Sequence, residues 1–367
     1  MGDGDGRGGH DGMVDWDLAV ATATRLAKPG PEVERREAHR TVAQLHELAL
    51  AAEGHVRRFT GLNAPRTAVP VAVIDRHSWI RVNAEGFRSV LSPLVDKLEA
   101  RRDSVPGGSL AAALGSRVTG LEAGALLAFL SGKVLGQYDL FAHDEGRLLL
   151  VAPNIVQAER DMGVDPRDFR LWVCIHEETH RVQFGAIPWL REHVEGEIKA
   201  FLGATDIDPQ ALAHRLRDGL AAVVGAIQGD ESRSLIDVVQ TPEQRLILDR
   251  LTAVMSLLEG HADFVMDGVG PDVIPTVDDI RRRFQKRRQG TGRLDQTLRR
   301  LLGVDAKIRQ YTEGSSFVRG VVERVGMEGF NRVWTAPGML PTKDEIIDPA
   351  SWVDRVHPEP RSLPTAE

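Results

Sequence analysis

The sequence predicts a mainly helical protein with a small β-sheet, on three observations. Apolar residues recur at three- and four-residue steps over most of the chain, the period of amphipathic helices. Only two short segments show the compact apolar run between turn residues that marks a strand. The 367 residues are 42% hydrophobic and 27% charged, a globular composition with enough material for a sizeable core.

The elements follow in chain order. Residues 1–13, MGDGDGRGGHDGM, read as a disordered tail without the basic-then-apolar layout of a signal peptide. EVERREAHRTVAQLHELALAAEGHVRRFTGL spaces Val33, Val42, Leu45, Leu48, Leu50 and Val56 as a helix face. AVPVAVID, Ala68 to Asp75, is a weak strand candidate, and WIRVNAEGFRSVLSPLVDKLEARR returns to the helical period. LEAGALLAFLSGKVLG is broken by Glu122 and Lys133, too short and polar for a membrane span. GRLLLVAPN, Gly146 to Asn154, is the clearer strand, buried or at a sheet edge. DPQALAHRLRDGLAAVVGAIQG and RLDQTLRRLLGV read as helices, and residues 358–367, PEPRSLPTAE, as a flexible C-terminal tail. Residues 14–357 then form a single domain, as one body or as two lobes flanking a cleft.

Composition narrows the partners. A net charge of −7 confines any nucleic-acid surface to a local patch. The one basic run, Arg281 to Arg293, lacks interleaved aromatics beyond Phe284 and reads as a solvated face. Neither a nucleic-acid nor a membrane partner is expected. The single cysteine, Cys174, excludes an internal disulfide and fits a reducing cytoplasm; its expected role is packing.

Chemistry concentrates in LWVCIHEETHRVQFG, Leu171 to Gly185. Asp165 as N-cap, Pro166 at N1 and Asp168 at N3 start a helix there. Gly185 is placed to end it, with Pro188 just beyond. His176 and His180, four apart, project from one face and can meet one metal ion. Glu177 lies about 100° around the helix from His176, where it reaches a water beside the metal, the general-base position of a zinc hydrolase. The alternative is an ordinary helix with two polar residues. The apolar flanks argue against it, because buried histidines and glutamates are costly unless something satisfies them.

A second helix is written in TPEQRLILDRLTAVMSLLEGHADFVMDG, with Thr241, Pro242 and Gln244 as a capping box and Gly268 as a stop. Glu259 and Asp263, four apart, share a face. Glu259 is the favoured third ligand, and Asp263 is placed to take the free N–H of a ligating histidine. Gly260 and Ala262 are small enough to let this helix approach the first. His261 is the alternative ligand, but it points about 160° away from Glu259, so both cannot face the metal. Glu192, His193, Glu195 and Glu197 are further alternatives. The longer H-E-x-x-H-x-x-G-x-x-H pattern fails, since Gln183 and Ala186 stand at its last two positions.

With HEETHRVQF and MSLLEGHADFVMD in view, the sequence resembles the mainly actinobacterial zincin-like metallopeptidases of type 2. VLGQYDLF, LLLVAPNIV, KIRQYTEGSSFV and LPTKDEIIDPASWVDRV carry the same resemblance, which covers most of the chain. The family is labelled as zinc-dependent metalloproteases, some of them linked to biosynthesis of a deazaflavin coenzyme. The resemblance implies a zincin-like core with a sheet edge beside the active helix and zinc between two helices. It implies His176, His180 and Glu259 as ligands and Glu177 as base, although the gap from His180 to Glu259 is far longer than in thermolysin-like enzymes.

On this reading the protein is a gluzincin-like hydrolase of a peptide or small amide, with a metal-activated water as nucleophile. Leu148–Val151 would serve as the edge strand that holds an extended peptide. Tyr311 is the candidate oxyanion donor, with His193 and Arg181 behind it. A non-catalytic zincin-like scaffold with a structural metal is the competing expectation. A deazaflavin role has weaker support, because PGGSLAAALG does not follow a strand as a phosphate loop would.

Overall fold

A computed structural model describes residues 14–65, 71–102, 109–140, 146–204, 242–289 and 304–358. The N-terminal tail and all of the C-terminal tail but Pro358 lie outside these residues, as do DPQALAHRLRDGLAAVVGAIQG, Thr241 and all but the last residue of RLDQTLRRLLGV. The chain divides into two compact units, Met1–His46 with Val69–Asp161, and Glu47–Ala68 with Met162–Glu367.

The first unit holds a sheet of three short strands, β1 (Ala72–Ile74), β2 (Gly136–Asp139) and β3 (Arg147–Val151), in the order β1-β3-β2. β3 is therefore central, parallel to β1 and antiparallel to β2: of the two sequence readings, buried or edge, it is the buried one, and the peptide-holding edge role implied by the family resemblance does not fit it. Leu148 to Val151 are all buried, as a run covered on both faces must be. The edges are β1 and β2. GQYD of β2 has no apolar run of its own, and its extended form is set by pairing with β3. The predicted strand also ends early, because Ala152 to Asn154 open a helix. Pro153 fits its first turn, where a missing N–H costs nothing.

Around the sheet lie α1 (Trp16–Leu26), the first part of α2 (Arg35–Thr60), α3 (Arg76–Arg102), α4 (Ser109–Ser131) and α5 (Ala152–Met162). Asp15 caps α1 by accepting the Leu18 N–H at 2.9 Å. Trp16, Ala19, Ala23, Trp79, Ile80, Leu127 and Val151 share one core cluster. Buried Asn154 joins the elements: it accepts from Arg76 at 2.6 Å and donates to the Ser131 and Val134 carbonyls. On α2 the buried face runs through Leu45, Leu48, Ala49, Ala52 and Val56. Leu50 is 73% exposed and Val33 is exposed ahead of the helix, so neither belongs to the face assigned to them.

The second unit contains α6 (Pro166–Ala186), α7 (Leu190–Gly203), α8 (Pro242–Gly268), α9 (Val277–Gln289), α10 (Val304–Phe330), α11 (Lys343–Ile347) and α12 (Pro349–Val356). α10 is interrupted at Gly326, whose φ of 69° is one that glycine adopts without penalty. Near the C-terminus, Thr342 and Glu345 form a capping box, and Arg355 grips Glu345 at 2.6 and 2.9 Å. In the basic run, Arg281 pairs with Asp267 at 2.9 Å, while Arg282 and Arg283 share Asp279. Phe284 packs edge-on against Trp172 of α6. Among the described residues no helix is long and apolar enough to cross a membrane.

Candidate metal centre

The site is built on α6, whose start follows its sequence. The Asp165 side chain accepts the Asp168 N–H at 2.9 Å, and Pro166 occupies the first turn. Asp168 has a second use: its carboxylate takes the Thr276 N–H at 3.1 Å and hydroxyl at 2.8 Å, docking the start of α9. Leu171 to Ile175 are all buried, so the histidine motif sits on a helix embedded in the unit. α6 runs past Gly185 to Ala186 and ends where Ile187, preceding Pro188, turns extended at φ −119°. Gly185 instead makes room for Ala64, whose Cβ would lie 3.2 Å from a Cβ at that position.

α8 carries the facing residues. Its Gly260 faces α10 rather than α6, contrary to the expected close approach. A Cβ there would stand 2.5 Å from both the Gly314 oxygen and the Ser315 nitrogen, so these backbones meet at a glycine-to-glycine crossing. Gly268 packs against the Phe59 ring.

Between α6 and α8, candidate ligand atoms of His176, His180 and Glu259 all lie within 4.8 Å of one another. Glu259 Oε2 is 3.5 Å from His176 Nε2 and 3.7 Å from His180 Nε2. The two imidazole planes stand at 87° with centroids 5.0 Å apart. Asp263 Oδ1 is 3.5 Å from the other nitrogen of His176. Glu259 Oε2, Asp263 Oδ1 and His176 Nδ1 are buried without a hydrogen-bond partner. A buried carboxylate oxygen left in that state is costly. Tetrahedral bonds of about 2.0–2.1 Å would separate ligands by roughly 3.4 Å, so the spacing and the N,N,O donor set both fit zinc.

The charges are strongly coupled. Burial pulls the His176 pKa down, but Asp263, Glu259 and the charge of Glu177 outweigh it and push it up to about 10. Burial raises Glu259, yet His180 and His176 hold it well below the usual carboxylate range. A protonated His176 would sit between two carboxylates, each 3.5 Å from one of its ring nitrogens, and a bound cation would take that proton's place. Glu177 is buried beside the histidines on α6.

The other candidates lie elsewhere. His261 is fully buried against Phe330 and Trp334, and burial together with the charge on His180 drops its pKa to about 3. Its Nδ1 meets Gln183 at 3.0 Å, and it is not among the converging ligands. Glu197 pairs with Arg250 at 2.8 Å, Glu195 with Lys199 at 3.7 Å, and His193 stacks edge-on against Trp189. Among the described residues, His176, His180 and Glu259 are the single metal-competent set, which leaves Glu192 outside it as well. Arg181 is engaged by Glu178 at 2.6 Å and Glu53 at 3.0 Å. Burial, opposed by Arg181, lifts Glu178 to about 7. Cys174 is fully buried, and burial followed by the charges of Glu178 and Glu177 pushes its thiol well up, which suits packing. Tyr311 is on α10, but its side chain lies outside the described residues.

One site residue was missed from sequence. Gln183 is fully buried and its oxygen is 2.9 Å from His180 Nδ1. The available signal is a lone amide in the apolar flank VQF, three residues after His180.

Comparisons with known proteins bear on the family and the fold. A family model for zincin-like metallopeptidases matches residues 14–353. A solved structure from Chloroflexus aurantiacus, described as a proposed hydrolase with a novel fold, is 30% identical in sequence. That match covers 95% of this chain and 100% of the other, with a TM-score of 0.69. No curated protein matches.

Proposed function

Since this chain belongs to the zincin-like metallopeptidase family, we propose that it is a zinc-dependent hydrolase of peptide or small amide bonds. The observation that carries the reading is the convergence of His176, His180 and Glu259 around a buried carboxylate oxygen with no hydrogen-bond partner. Those three side chains would hold the ion, and Asp263 would orient His176 through its second nitrogen. When bound, zinc supplies Lewis acidity, making water a better nucleophile and polarising the scissile carbonyl.

The protein's own residues do the rest. Glu177 follows His176 on α6, about 100° around the helix, and so faces the same space from the side. Its carboxylate takes the proton of the attacking water and returns it to the leaving nitrogen. Leu171 to Ile175 and Leu257–Leu258, which immediately precede the candidate ligands on their helices, are buried and would limit bulk water. The side chains of His176, His180 and Glu259 keep 17%, 11% and 15% exposure, which favours a small amide or extended peptide over a folded surface. The lone buried thiol supports action in a reducing cytoplasm.

The test is zinc per chain in protein purified without added metal, wild type beside Glu259→Ala. Near one zinc in the wild type and clear loss in the variant is expected; no uptake by the wild type, even with zinc offered, sinks the proposal. Glu177→Gln then separates catalysis from a structural metal. It should keep its zinc and lose hydrolysis by about 10²–10⁴-fold, the usual weight of general-base catalysis.

A further inference from the structure

Gln183 stands one turn beyond His180 on α6, with every polar atom of its carboxamide in use. Its nitrogen is 3.1 Å from the Leu258 carbonyl oxygen and 3.0 Å from His261 Nδ1, and its oxygen is 2.9 Å from His180 Nδ1. One member of this set has no choice of role, because the Leu258 carbonyl can only accept. The amide nitrogen must therefore face it and donate, which turns the amide oxygen toward His180. His180 Nδ1 then has to carry the hydrogen and donate it. In the neutral ring, the form that can bind a metal, this leaves the lone pair on Nε2, the atom 3.7 Å from Glu259 Oε2. The remaining amide N–H donates to His261 Nδ1, which makes that ring neutral with its hydrogen on Nε2.

We propose that Gln183 is a positioning residue for the metal. It holds His180 in the tautomer that ligates through Nε2, and its bond to Leu258 ties α6 to the residue preceding Glu259. The inference rests on the metal-site reading above. It also gives His261 a role: braced by Phe330 and Trp334, with ring centroids at 5.2 and 5.5 Å, it receives the second amide hydrogen instead of binding metal.

The experiment measures zinc affinity, by competition with a chromophoric chelator, beside urea unfolding of the metal-free protein. The chains compared are wild type, Gln183→Leu and Gln183→Glu. Leucine removes the acceptor, and zinc should bind about 10–100-fold more weakly, as for other residues that orient metal-ligating histidines. Glutamate keeps an acceptor for His180 but sets a carboxylate oxygen against the Leu258 carbonyl. Its unfolding midpoint should fall, while zinc binding weakens by less than about 10-fold, below the loss expected for leucine. Wild-type affinity in Gln183→Leu, or equal weakening in both variants, would overturn the inference while leaving the metal site standing. No zinc uptake by the wild type would overturn both. Should Gln183→Leu fail to fold, nitrogen-15 NMR of the zinc-loaded wild type decides: His180 Nδ1 must carry a slowly exchanging hydrogen, and a bare Nδ1 refutes the assignment.

Discussion

Gly260→Ala is the sharpest test of how the site is supported. The new methyl would stand 2.5 Å from the Gly314 oxygen and Ser315 nitrogen, both backbone atoms on α10 that cannot rotate aside. Ordinary contacts begin near 3.4 Å, so α8 and α10 must separate by about 1 Å, an overpacking strain that typically costs about 1–3 kcal/mol. Alanine's better helix propensity returns at most about 1 kcal/mol. The strain also falls next to Glu259, whose Oε2 is 3.5 and 3.7 Å from its two histidine partners. Urea unfolding and chelator competition on the same preparations should show both lower stability and weaker zinc binding. The control is Gly196→Ala on α7, where a Cβ meets nothing within 4 Å. It should stabilise by about 0.5–1 kcal/mol and leave zinc affinity alone. A Gly260→Ala protein as stable and as zinc-avid as wild type would refute the close crossing.

Other outcomes follow from the same geometry. His176 is raised from 6.5 to about 10, so its contribution to metal-free stability is complete below pH 6.5 and is lost as pH climbs toward 10. Thermal unfolding of chelator-stripped protein should show that decline, and a flat profile across the window would contradict the carboxylate-held proton. For the same reason zinc uptake at pH 7.5 should release a proton from His176, read with an indicator in weak buffer, and Asp263→Asn should reduce the release. Asp168→Ala leaves two Thr276 donors without their acceptor and should cost about 1–3 kcal/mol in urea unfolding, with zinc content unchanged.

What could be read in advance lay within single elements. Asp165, Pro166, His176, Glu177 and His180 belong to one helix, where the 3.6-residue period turns spacing directly into direction. Glu259 and Asp263 obey the same rule on α8. The errors concern contacts between elements. β3 reads as an apolar strand wherever it sits, and only its pairing with both β1 and β2 makes it central. GQYD becomes a strand because β3 offers it an edge. Leu50 is the exception, an error within one element: it stands two residues after Leu48, about 200° around α2, and so points to solvent. Gly260 is legible as a close-approach residue, but its partner is α10 and not α6, since one sequence cannot say which helix a small residue admits.

The segment Ser256 to Asp263 shows why the site and the packing are one problem. Successive residues on α8 turn by about 100°, so this short stretch addresses several neighbours at once. Glu259 and Asp263 face the histidines of α6, Gly260 meets α10, and His261 turns to Gln183 and the Phe330 ring. None of these directions can change without moving the others, because they share one rigid backbone. Glu259 can therefore approach two imidazoles only where the crossing with α10 sets the depth of α8. Gln183 then fixes the same backbone from the α6 side through Leu258. This accounts for a proposed third ligand so distant in sequence from His180: the spacing that matters is set by a three-helix joint rather than by the length of chain between the candidate ligands.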